Sequence, residues 1–88
     1  FQLYPVYPNP FNSSVILSFD IPPVVTRLIT SVQVYDINGR LVETLLDEPL
    51  KPGSYKYTWS PVEIPSGVYF LKLSTDTQGF TRKITYVK

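Results

Sequence analysis

The chain has 88 residues, 43% hydrophobic and 17% charged, and its eight basic and seven acidic side chains leave a formal charge of +1. That balance describes one globular domain rather than a disordered segment, and it offers no basic stripe to neutralise a run of phosphates, so nucleic acid is not an expected partner. With no Cys and no His, disulfides, thiolate or imidazole metal sites and imidazole acid–base chemistry are all excluded.

A domain of this size buries roughly 60% of its unfolded surface, so it folds alone with little stability to spare. Seven Tyr, five Phe and one Trp supply large apolar surfaces for the core. Nine Pro against four Gly suit short strands joined by stiff loops. No apolar run approaches the roughly 20 residues of a membrane helix. The chain has neither Met nor a signal-peptide pattern at its start, as expected of a piece of a longer protein whose export signal lies upstream.

Residues 1–12 carry Pro5, Pro8 and Pro10 among aromatics. Proline fixes φ and pushes the residue before it toward extended geometry, which predicts a stiff, extended arm over 1–12, ahead of a single β domain over 13–88. The first strand is expected from Ser14 to Ile21, with Val15, Leu17, Phe19 and Ile21 on one face, and Pro22-Pro23 ends it. Alternation resumes near Leu28, with Thr30, Val32 and Val34 opposed to Ile29, Ser31, Gln33 and Tyr35. Asn38-Gly39 then predicts a type I′ turn, because both central residues of that turn need positive φ. The strand after it, Arg40 to Leu46, folds back antiparallel. Asp47-Glu48-Pro49 and Lys51-Pro52-Gly53 read as loop and turn, leading into Ser54 to Ser60, where Tyr55, Tyr57 and Trp59 share a face.

The most strand-like segment follows Ile64-Pro65-Ser66-Gly67. Here Val68, Phe70 and Lys72 alternate with Tyr69, Leu71 and Leu73, and the second row reads as core while Lys72 marks an open face, the pattern of an antiparallel sheet. A turn around Thr75 to Gly79 leads to the last strand, Phe80 to Val87, in which Arg82 and Lys83 cannot both be buried. The expected core is Leu17, Phe19, Val32, Val34, Tyr57, Trp59, Tyr69, Leu71 and Leu73. No segment holds helical period over three turns. The fold class is therefore all-β, an immunoglobulin-like antiparallel β-sandwich of about seven strands.

Few residues could carry chemistry. Asp47 and Glu48 are adjacent, so on a strand or turn they point apart, and no second acid converges on them by spacing. Asp36 and Asn38 lack the ligand spacing of a calcium loop and serve turn geometry instead. Ser13, Ser14 and Ser66 have no His to activate them. Neither catalysis nor a cofactor is expected. The Tyr55, Tyr57, Trp59 row is either core or a sugar-stacking platform, and Arg82, Lys83 and Lys88 either protect an edge strand or present it to a partner.

Four motifs stand in order: Tyr7-Pro8-Asn9-Pro10-Phe11-Asn12, Val34-Tyr35-Asp36-Ile37-Asn38-Gly39-Arg40, Trp59 after a Pro-Gly turn, and Pro65-Ser66-Gly67-Val68-Tyr69-Phe70. Together with the basic pair Arg82-Lys83 and the terminal Lys88, they resemble the C-terminal sorting domain of type IX secretion cargo, type A, a module related to the Ig-like domain of the flagellar hook-capping protein. One position departs from the family pattern, Ser13 standing where a further Pro is usual. The resemblance implies a non-catalytic signal that directs an upstream catalytic or adhesive domain across the outer membrane. It implies as partners the outer-membrane translocon and a sortase-type surface protease, and as destination the cell surface or the medium after periplasmic transit. On this reading recognition uses Pro8, Asn9 and Pro10, the Ser66-Gly67 turn, and the last strand with Arg82, Lys83 and Lys88, while Asn38 and Gly39 shape a structural turn. The alternative is an accessory carbohydrate-binding or structural Ig-like module of an extracellular glycosidase.

Overall fold

The computed structural model describes residues 2–23, 28–76 and 78–88. Phe1 of the expected arm, Thr77 of the expected turn after Thr75, and the side chain of Ile29 in the expected second strand lie outside what is described. Seven strands are present: β1 (Gln2–Leu3), β2 (Val15–Ile21), β3 (Leu28–Tyr35), β4 (Leu41–Leu50), β5 (Gly53–Trp59), β6 (Gly67–Thr75) and β7 (Gly79–Tyr86). They form two antiparallel sheets, ordered β1-β2-β5 and β4-β3-β6-β7, which pack as a β-sandwich.

The alternating rows decide how the sheets face each other. In β2, Val15, Leu17, Phe19 and Ile21 are buried while the residues between them are partly exposed, so one row faces the second sheet and the other faces solvent. Val32, Val34 and Ile84 are fully buried from the opposite side, joined by Tyr69, Leu71 and Leu73. Each such aliphatic side chain contributes about 1.5–3 kcal/mol on burial. Trp59 is buried, whereas Tyr57 and Tyr55 are partly buried and stack on Phe19, with centroids 6.1 and 5.5 Å away. The aromatic row of β5 therefore belongs to the interior, with its tyrosines at the mouth.

Two local expectations need correction. The hairpin joining β3 to β4 is not a type I′ turn on Asn38-Gly39. The Asp36 carbonyl accepts a hydrogen bond from Gly39 N–H, and Gly39 has φ +81° while Asn38 has no positive φ. Ile37 and Asn38 thus occupy the centre of an ordinary turn, and Gly39 alone takes the left-handed position, the three-residue hairpin solution. The difference arises because the Asp36 carboxylate binds the amides of Asn38 and Arg40 at 2.9 and 3.0 Å, which holds the turn one residue earlier. Likewise Asp47, Glu48 and Pro49 are not a loop: they continue β4, paired to Ser31, Thr30 and Ile29. β4 is the sheet's edge, where a proline without N–H and exposed charges are tolerated.

The N-terminal segment connects the two sheets. Gln2 to Tyr7 runs antiparallel along β2, through the β1 pairing, a bond from Tyr4 N–H to the Ser18 carbonyl, and reciprocal Tyr7–Ile16 bonds of 3.2 and 2.8 Å. The chain then bends over Pro8, Asn9 and Pro10, where the Tyr7-Pro8 and Asn9-Pro10 peptides are cis. Phe11 forms a parallel bridge with Tyr86 at the outer edge of β7. One short segment thereby pairs with both layers.

Candidate recognition surface

The strap that crosses from β2 to β7 is held chiefly by Asn9 and Phe11. Asn9 Nδ2 donates to the Lys83 carbonyl at 2.9 Å, and Asn9 Oδ1 accepts from Thr85 N–H at 3.0 Å. A carboxamide carries the same donor and acceptor as a peptide group, so this side chain substitutes for a residue of a paired strand. Phe11 continues the pairing with its backbone, its N–H donating to Thr85 and its carbonyl accepting from Val87, at 2.9 and 2.8 Å. Its ring, only 2% exposed, stacks on Tyr86 at 5.2 Å and lies 5.9 Å from Trp59. Further back, the Tyr4 hydroxyl donates to Asp20, holding that carboxyl below the usual carboxylate range, with help from Ser54.

The loop before β6 closes on the other side of the same strand. Tyr69, at the third position of β6, donates its hydroxyl to the Pro65 carbonyl four residues back at 2.7 Å. This is the geometry of a tyrosine corner, a device of Greek-key sandwiches. Burial pushes the Tyr69 phenol upward, and the neighbouring Asp36 charge adds to the shift. Gly67 has φ +156°, a conformation that side-chain-bearing residues rarely adopt. Ser66 Oγ accepts a hydrogen bond from Lys88 N–H at 2.9 Å, fastening the chain end to the corner.

Beside the corner is a cleft of about 360 Å³. Ile37, Val42, Ile64, Pro65, Val68 and Tyr69 give it apolar walls, and Asp36 and Arg40 stand on its rim. These two form an ion pair at 3.3 Å. The Arg40 and Asn38 amides and the guanidinium together hold the Asp36 carboxyl below its ordinary range. Ile37 at the hairpin tip is 70% exposed and Leu41 53%, so this end of the sandwich presents apolar side chains to solvent.

The residues singled out from the sequence therefore converge. Pro8, Asn9 and Pro10 lie along one edge of the last six residues, while Ser66 and Gly67 lie on the other, Gly67 pairing with Tyr86. Lys83 is exposed on β7, and Lys88 is exposed two residues beyond the end of that strand. Arg82 is half-buried on the inner face, opposite Leu71. What sequence reasoning missed is the role of Asn9 and Phe11: an amide bonding partners 74 and 76 residues away leaves no trace in local periodicity. The Tyr69 corner was equally unread, although a Tyr two residues beyond a Ser-Gly turn is a usable signal.

No titratable constellation accompanies these features: among the described residues no three acidic, His or Cys side chains cluster as metal ligands. The domain is a small β-sandwich distinguished by a strap along β7 and a cleft beside the Tyr69 corner. The match of a family model specifies the module further: residues 5–88 fit the secretion system C-terminal sorting domain, and the chain belongs to that family, the sorting domains of type IX secretion. No curated protein matches the chain. Membership supports a role as a C-terminal type IX secretion signal, with an upstream cargo and export toward the cell surface or extracellular space.

Proposed function

We propose that this domain is a non-catalytic address that carries an upstream catalytic or adhesive domain through the outer-membrane translocon, and that a sortase-type surface protease then frees or attaches the cargo. The reading rests on the family match over 5–88, and the convergence on the last strand supports a recognition surface there. That surface comprises Pro8 and Pro10 on the strap, Ser66 at the corner, and Lys83 and Lys88. The strap and the corner hold it in one shape before docking, which reduces the entropy lost on binding.

A reporter fusion tests this. Residues 1–88 are placed after a signal-peptide-bearing fluorescent protein and followed in a bacterium with the type IX system beside an isogenic secretion mutant. Reporter on the surface or in the medium of the first strain, and periplasmic in the second, is the expected result; trapping in both strains sinks the proposal. Gly67→Val and deletion of 83–88 abolish export but also disturb the fold. The decisive variants are Ser66→Ala and the double variant Lys83→Gln/Lys88→Gln, whose folding is checked by circular dichroism. Undiminished export of both would remove these side chains from the recognition surface.

A further inference from the structure

The outer face of the four-stranded sheet carries an arrangement that the strap and the corner do not use and that shares only Lys83 with the surface proposed for sorting. Tyr35 and Phe70 are cross-strand partners on that face, each partly exposed. The next positions across the sheet are Lys83 opposite Phe70, and Gln33, Lys72 and Thr81 in a row. A cleft of about 360 Å³ opens over these residues, lined by Tyr35, Ile37, Phe70, Lys72 and Thr81 with Asp36 and Gly39 at one end. That volume falls at the low end of the roughly 300–1,000 Å³ typical of small-ligand sites.

The chemistry of the lining is selective. Every Asp and Glu of the chain is among the described residues, yet the ion pair they form is Asp36 with Arg40, and neither Lys72 nor Lys83 takes part in one. Asp36 is already engaged by two amides and a guanidinium, and Asp47 lies at the far margin of the face, opposite Ser31. The face thus combines two partly exposed aromatic side chains on neighbouring strands, two unneutralised ammonium groups, and polar groups in Thr81 and the Gln33–Tyr35 pair, bonded at 2.8 Å. Aromatic faces carry partial negative charge and attract the weakly positive C–H face of a pyranose ring. An ammonium attracts a carboxylate or sulfate, and hydroxyls and amides suit sugar hydroxyls.

We propose that the Tyr35–Phe70–Lys72 face binds an acidic saccharide, with one sugar ring against the aromatics and its anionic group between Lys72 and Lys83. The site lies on a different surface from the inward-facing Tyr55, Tyr57 and Trp59 row; it shares Lys83 with the surface proposed for sorting, and its test reads saccharide binding alone.

The test titrates the 88-residue chain with tetragalacturonate at low salt, following backbone amide shifts, alongside neutral cellotetraose and polyglutamate as a sugar-free polyanion. The expected result is saturable binding with shifts at Tyr35, Phe70, Lys72 and Thr81, and cellotetraose at least about tenfold weaker. Lys72→Gln weakens tetragalacturonate about threefold to tenfold. Phe70→Leu keeps apolar bulk but removes the ring, and weakens it by a similar factor. No saturable binding by about 5 mM, shifts centred elsewhere, or equal binding of polyglutamate with no effect of Phe70→Leu would each overturn the proposal.

Discussion

The two lateral sides of the sandwich solve the same problem in opposite ways. On one side, β7 is the edge of its sheet, and the strap from Asn9 to Phe11 satisfies its outward backbone groups from Lys83 to Val87. On the other side, β4 and β5 end their sheets, and among the described residues no further strand lies beside them. There protection is largely by composition: Asp47 and Glu48 are exposed along β4 and Pro49 removes one donor, while Glu43 accepts a hydrogen bond from Trp59 Nε1 of β5 at 3.1 Å. A covered edge is rigid and specific, whereas a charged open edge is merely unattractive to other strands. The lesson is that this domain pairs one edge strand, β7, with backbone and amide partners and leaves the other side without a strap.

The largest expected effect comes from removing what holds the covered side. Phe11→Ala deletes a ring buried between Tyr86 and Trp59 and should cost about 3–5 kcal/mol, a large share of the stability of so small a domain. Urea denaturation checks it; a loss below about 1 kcal/mol would show that the strap rests on β7 without supporting it. Next in size is Asn9→Ala, expected to cost about 1 kcal/mol, because the solvent-exposed bonds to the Lys83 carbonyl and the Thr85 amide are exchanged for bonds to water. Asn9→Asp sharpens the point. A carboxylate still accepts from Thr85 N–H but cannot donate to Lys83, so hydrogen exchange at Thr85 stays slow in Asn9→Asp and becomes fast in Asn9→Ala.

These contacts also mark where the sequence was legible. The rows Val15 to Ile21 and Tyr69 to Leu73 could be read directly, since period-two burial is a local property. The hairpin after Tyr35 was readable as a hairpin, but its register was not: the carboxylate of Asp36 captures two amides and moves the turn centre to Ile37-Asn38. Asp47 to Pro49 looked like a loop because charge and proline are loop signals, and only the knowledge that β4 is an edge makes them acceptable in a strand. The recognition candidates were placed along the chain by motif, but the strap reaches β7 through pairings more than seventy residues apart, such as the Phe11–Tyr86 bridge, which no local pattern encodes, while Ser66 and Gly67 meet the last residues over about twenty positions.

A smaller effect on stability, but a clear one on behaviour, tests the open side. Replacing Asp47 and Glu48 by Val and Pro49 by Thr leaves folding stability within about 0.5 kcal/mol per substitution. It also provides β4 with apolar side chains and a free N–H, so the variant should self-associate with rising concentration in size-exclusion chromatography. Lys83→Val, on the strap-covered half of β7, should remain monomeric. If both variants associate equally, strap coverage does not distinguish the two sides.

The smallest effect separates the clamps by their chemistry. Asp36 fixes the hairpin from which β4 departs, while Asn9 fixes β7; one clamp titrates and the other does not. The carboxyl of Asp36 is held below its ordinary range by the Arg40 and Asn38 amides and the Arg40 guanidinium, so the folded state favours the ionised form. Its contribution is complete above the unfolded-state carboxyl pKa and disappears as pH falls through the lower folded value. Below about pH 4, protection factors at Asn38 and Arg40, corrected for intrinsic exchange, should fall while that at Thr85 holds. Tyr4 and Asp20 share the acid sensitivity, because that carboxyl is also depressed, so the strap should loosen at its β2 end before its β7 end. Equal loss of protection at Arg40 and Thr85 would mean that acid unfolds the domain as a unit, and that the two sides are not independently anchored.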